Sequence, residues 1–162
     1  MRFGHLPDFQ LVDDESPVRL ASFDAPLLTD GAFRPHEDQQ CRFVNAMVRT
    51  LNRLHEDAPL SFVLLGGDNV DNAQNNELSW VLSILGGADR VECDSGGDDD
   101  PIDGPDNDSK DPFVAEGLAM PWYWVSGNHD MLRQGNFPVV ATDVELSRGD
   151  ETYGGARAWT PP

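Results

Sequence analysis

Basic residues are scarce in this chain of 162 residues, which carries 11 Lys and Arg against 29 Asp and Glu, a formal charge of −18. Its single lysine is Lys110. Nucleic-acid affinity comes mainly from Lys and Arg side chains that neutralise phosphates. The composition therefore argues against a protein that binds DNA or RNA.

Long apolar runs are also lacking. No stretch approaches the roughly 20 apolar residues that a membrane span needs, and the N-terminal segment "MRFGHLPDFQ" has no apolar core of a signal peptide. We therefore expect a soluble, cytoplasmic protein without a membrane partner. The length predicts a single domain.

Cysteine is limited to Cys41 and Cys93. The two could form one bridge in an oxidising compartment. Cys41, however, falls within a helical pattern, where a small buried thiol is the simpler interpretation. The sequence thus favours two free thiols.

The apolar pattern alternates between strand and helix. Three-and-four spacing predicts a helix over residues 35–57, with Val44, Met47, Val48, Leu51 and Leu54 on its apolar face and Asn45 opposite. The run "LSFVLL" predicts a buried strand, and a second helix follows that ends at Gly86-Gly87. "MPWYWVS" predicts another strand, in which Trp122 and Trp124 serve packing. This order is typical of an α/β fold.

Two segments break the pattern. Residues 88–116 are crowded with Asp, Gly and Pro, and we expect an exposed, partly disordered acidic insertion there. Residues 141–162 are weakly patterned and are expected to be a loosely structured continuation.

Metal-type ligands follow the predicted strands. "PDFQ" follows a short apolar stretch, residues 2–6, that can form a first strand; "GGDNVD" follows the "LSFVLL" strand and "GNHD" the "MPWYWVS" strand. Since ligands gather beyond the carboxyl ends of strands in open α/β sheets, these side chains are expected to share one crevice. Carboxylate, amide and imidazole groups suit divalent cations.

These three motifs, in this order, resemble the first signature blocks of the calcineurin-like metallophosphoesterases, and the likeness covers most of residues 1–140. The resemblance implies the N-terminal half of a four-layered αββα sandwich with a mostly parallel sheet. It also implies metal-dependent hydrolysis of a phosphomonoester or phosphodiester, with a small phosphate ester as the substrate.

The resemblance further implies a role for each motif residue. Asp8 and Gln10 would bind the first of two divalent metal ions, Asp68 would bridge both, and Asn128 would bind the second. His129 would face the substrate as an acid, and Asp71 would orient His129.

This chain departs from the family pattern at two points. Gln10 stands where the family usually has histidine, and its amide oxygen favours manganese, with magnesium, iron, zinc and calcium as alternatives. No histidine follows His129, although the family completes its sites with later histidines. We therefore expect a fragment that is inactive alone and self-associates through an uncovered sheet surface.

A different class of protein is also compatible with the composition. A noncatalytic acidic domain could bind calcium or a protein partner through its Asp-rich segment. The insertion does not, however, fit the EF-hand loop pattern.

Overall fold

The computed structural model describes residues 1–14, 36–95 and 102–148. Its strands are β1 (Gly4–Leu6), β2 (Val63–Leu65) and β3 (Trp122–Trp124), and its α-helices are α1 (Gln40–Asp57), α2 (Asn75–Gly86) and α3 (Ala141–Leu146). Short 3-10 helices cover Glu37–Gln39 and Leu132–Gly135. The Asp-, Pro- and Ser-rich composition of residues 13–35 predicts a connecting loop, most of which lies outside the described residues.

The three strands form one parallel sheet in the order β1-β2-β3. Parallel neighbours need a crossover connection, and the chain passes through α1 between β1 and β2 and through α2 between β2 and β3. The predicted α/β class with a parallel sheet is therefore confirmed. All three carboxyl ends lie at the same edge of the sheet.

Helix α1 begins later than predicted and buries a slightly different face. Val44, Val48 and Leu51 are buried as expected, whereas Met47 and Leu54 are 39% and 51% exposed. Asn45 is buried instead, because its Oδ1 accepts a hydrogen bond from the backbone N–H of Glu116, 2.9 Å away. The buried face of α1 thus includes a polar side chain whose hydrogen-bond partner is distant in sequence.

Helix α2 ends as the sequence predicted. Its last residue is Gly86, and Gly87 follows with a left-handed φ of 74°, which glycine adopts without steric cost. Val81, Ile84 and Leu85 pack into the core. Trp122 and Trp124 are partly buried against the same core, which confirms their predicted packing role.

One face of the sheet carries exposed aromatic side chains. Phe3 stacks on Phe62 with ring centroids 5.3 Å apart, and Phe62 meets Tyr123 edge to face at 5.5 Å. Phe3 and Tyr123 are 49% and 58% exposed. Parallel sheets are normally covered on both faces, so self-association through this face stays a prediction.

The acidic insertion is more ordered than expected. Lys110 and Asp111 are buried, and Lys110 Nζ lies 2.8 Å from Asp14 Oδ1. Arg42 of α1 donates to the carbonyl oxygen of Asp111 at 2.7 Å and stacks over the Phe113 ring at 4.8 Å. The expectation of an exposed loop is wrong for this part, because these long-range contacts fix it. Residues 96–101 lie outside the described residues.

The prediction of free thiols is also wrong. Cys41 and Cys93 form a disulfide across 52 residues of sequence, because the start of the insertion returns to the buried face of α1. Disulfides persist mainly in oxidising compartments, and the cytoplasmic location stays a prediction.

Thiol titration checks the disulfide directly. In the unfolded, unreduced protein no thiol should react with Ellman's reagent, and two thiols should react after treatment with dithiothreitol. Two reactive thiols before reduction would contradict the bond.

Two remaining expectations concern the membrane and the C-terminal segment. Within the described ranges, no helix has the length and apolarity needed to cross a membrane. In the weakly patterned continuation, Ala141–Leu146 forms α3, and residues 149–162 lie outside the description.

Candidate metal centre

The loops that follow β1 and β2 run side by side. The N–H of Asp8 donates to the carbonyl oxygen of Gly67, and the N–H of Gln10 to that of Asp68, both at 2.9 Å. Leu11 continues the ladder, pairing in parallel with Val70. The backbones that carry three of the predicted ligands are therefore adjacent.

These three predicted ligands share an uncommon backbone conformation. Asp8, Gln10 and Asp68 have φ values of 56°, 42° and 51°. Residues other than glycine rarely adopt a left-handed φ, and each one that does costs on the order of 1 kcal/mol. Strained residues of this kind cluster at functional sites, where the surrounding structure holds them.

The third loop contacts the second through Asp68. Asp68 Oδ1 accepts a hydrogen bond from the backbone N–H of His129 at 2.9 Å. Gly127 lies so close that a Cβ atom there would overlap both Oδ1 and the backbone nitrogen of Asp68. Asn128 lies between these two contacts, so all four predicted ligands are in adjoining loops.

The His129 ring is held by Asp71. Its Nδ1 lies 2.8 Å from the carbonyl oxygen of Asp71 and 3.4 Å from the carboxylate Oδ1. A carbonyl oxygen can only accept, so Nδ1 carries a proton and Nε2 is the atom left to exchange one. The backbone of Asp71 is therefore a nearer partner than the predicted carboxylate.

The donor set is rich in oxygen. Across the three described ranges, no group of three or more His, Cys, Asp or Glu side chains is arranged to hold a metal ion. The predicted set includes only two such side chains, Asp8 and Asp68, with amides from Gln10 and Asn128. Carboxylate and amide oxygens suit hard cations such as manganese, magnesium or calcium.

Comparison with protein-family models, curated proteins and solved structures found no match to this chain. The likeness to metallophosphoesterases consequently rests on the sequence motifs.

Sequence reasoning missed two carboxylates that fasten these loops. Asp130 accepts the backbone N–H groups of Asn69, Val70 and Gly127 at 2.8–2.9 Å, which joins the second loop to the third. Glu77 is completely buried in the first turn of α2. The spacing of Gln74 and Glu77 at a helix start is a capping-box pattern, which could have indicated Glu77.

Burial also changes the ionisation of Glu77. Desolvation raises the pKa of its carboxyl group from 4.5 to about 7, although hydrogen bonds from Asp13, Asn72 and Gln74 act in the opposite direction.

Proposed function

We propose that this chain carries part of a metal-dependent phosphoesterase that hydrolyses a small phosphomonoester or phosphodiester. Its fold would be the first sheet and helices of a four-layered αββα sandwich. Asp8, Gln10, Asp68 and Asn128 would hold two divalent cations, manganese being the first candidate.

The observation that carries this proposal is the convergence of the three motif loops. The Asp8 and Gln10 backbones are hydrogen-bonded to the Gly67–Asp68 segment, and Asp68 in turn binds the N–H of His129. Left-handed backbone at three of the four ligands adds support, since such strain is seldom retained without a functional reason.

The predicted metal ligands, His129 and Asp71 would each have a separate role in the hydrolysis. Cations held by these ligands would stabilise the charge on the phosphoryl oxygens and activate water for attack. His129, with its Nδ1 proton fixed by the Asp71 carbonyl, would act in its doubly protonated form, giving the Nε2 proton to the leaving group and returning to the neutral ring. Asp71 would keep the ring in this orientation.

Asp68→Asn tests the proposal. Manganese affinity, measured by calorimetry, should fall at least about 100-fold, because the variant loses the one carboxylate assigned to both cations.

Asp57→Asn is the matched control. It removes the same charge from an exposed position at the end of α1, near the opposite edge of the sheet. Its affinity should equal that of the wild type. Wild-type protein that binds no manganese, or an Asp68→Asn variant that binds it as well as the wild type, would refute the assignment.

The calcium-binding alternative can be separated by charge substitutions in the insertion. Deleting the Asp-rich residues 94–111 would not separate the two proposals cleanly, because it would also remove Lys110 and its ion pair with Asp14. Asp103→Asn with Asp106→Asn changes two exposed residues of the insertion. The phosphoesterase proposal expects unchanged manganese affinity, whereas the alternative expects cation binding to weaken.

A further inference from the structure

The Glu77 carboxylate accepts four hydrogen bonds, although the side chain has no solvent contact. Oε1 receives the backbone N–H of Asp13 at 3.0 Å and the side-chain amide of Asn72 at 2.9 Å. Oε2 receives the backbone N–H groups of Asn72 at 2.9 Å and Gln74 at 3.2 Å. Each oxygen therefore faces two donors.

These donors come from both ligand loops. Asp13 lies three residues beyond Gln10, and Asn72 directly follows Asp71. The capping of α2 explains only the bond from Gln74, the residue before the helix. The other three bonds join the ends of the loops after β1 and β2 to a single rigid helix.

A strained turn lies inside the segment that Glu77 holds. Ala73, between the two backbone donors Asn72 and Gln74, has a left-handed φ of 52°. An alanine adopts this conformation only when neighbouring contacts compensate for the steric cost. The paired bonds to Glu77 are such contacts.

We propose that Glu77 is a positioning residue for the metal centre. By binding the ends of the loops after β1 and β2, Glu77 keeps the loop after β2 in the strained backbone conformation that places Asp68 and Asp71 toward the loop after β1. This inference rests on the proposed function, because it assigns Glu77 a role in metal affinity and not only in stability.

Glu77→Gln tests the proposal by calorimetric titration with manganese. A glutamine must place its NH₂ group where two donors converge, in either orientation of the amide, so the loop ends are released. We expect about 10- to 100-fold weaker manganese binding, the usual effect of removing a residue that orients metal ligands. Glu92→Gln is the control, since Glu92 pairs with Arg90 at the surface.

Ala73→Gly distinguishes positioning from general stability. Glycine adopts the left-handed turn without steric cost, so it should restore part of the manganese affinity of Glu77→Gln. In the wild type, where Glu77 already holds the turn, it should change the affinity little. A loss in Glu77→Gln that Ala73→Gly does not reverse would overturn the positioning role.

The remaining outcomes are also decisive. If the wild type binds manganese and folded Glu77→Gln binds it equally well, the inference fails while the proposed function stands. If the wild type binds no manganese, the proposed function fails and the inference fails with it. Should Glu77→Gln not fold, Asn72→Ala removes one donor and keeps the charge, and unchanged affinity in that variant would overturn the inference.

Discussion

Gly127→Ala should abolish manganese binding and destabilise the protein. The new methyl group would overlap the Asp68 carboxylate and backbone nitrogen, and Asp68 Cγ would be only 2.7 Å away. The side chain assigned to both cations would have to move. Overpacking of this kind costs on the order of 3 kcal/mol, which urea unfolding would measure alongside calorimetric titration with manganese.

Gly86→Ala is the matched control for this substitution. A Cβ atom at Gly86, the last residue of α2, meets nothing within 4 Å. Stability and manganese affinity should both stay close to those of the wild type. If Gly127→Ala retained wild-type affinity, Asp68 would not be held where the proposed site needs it.

The free energy of unfolding of the wild type, taken relative to Glu77→Gln, should fall as the pH rises from about 4.5 to about 7. Burial raises the pKa of Glu77 from 4.5 to about 7, so the folded protein keeps a proton that the unfolded chain loses in this range. The contribution of Glu77 to the free energy of unfolding is fully present below the unfolded-state pKa of 4.5. It is lost as the pH rises through the folded-state pKa of about 7. The whole change is about 3 kcal/mol.

Urea unfolding of both proteins between pH 5 and 8 would measure this difference, and staying above the isoelectric point of 4.2 keeps the chain soluble. Comparison with Glu77→Gln cancels the contributions of the carboxylates that lie away from residue 77. Parallel stability curves for the two proteins would contradict the raised pKa.

The local sequence pattern predicted the positions of the strands and helices well, but it did not predict which distant residues contact one another. The apolar runs located the strands, and Gly86-Gly87 located the end of α2. Periodicity could not place Asn45 in the interior, because its partner is the N–H of Glu116 in the insertion. For the same reason Cys93 was not expected beside Cys41.

At the candidate site, too, the sequence predicted the residues but not the contacts between them. The motifs identified Asp8, Gln10, Asp68, Asn128 and His129, and the structure adds that their loops adjoin. Neither the left-handed backbone at three of the predicted ligands nor the hydrogen bonds of Glu77 and Asp130 followed from the motifs. The bond from Asp13 to Glu77 and the bond from Asn69 to Asp130 join residues about 60 positions apart, a spacing that no local period encodes.

By itself, the sequence determined that an acidic α/β chain places metal-type ligands after each strand, because apolar period and turn residues act over a few neighbouring positions. Only the tertiary structure decided which backbone groups meet, since buried N–H donors must find acceptors wherever the packed chain brings them. Glu77 and Asp130 are two such acceptors, and their hydrogen bonds join the loops that carry the predicted ligands.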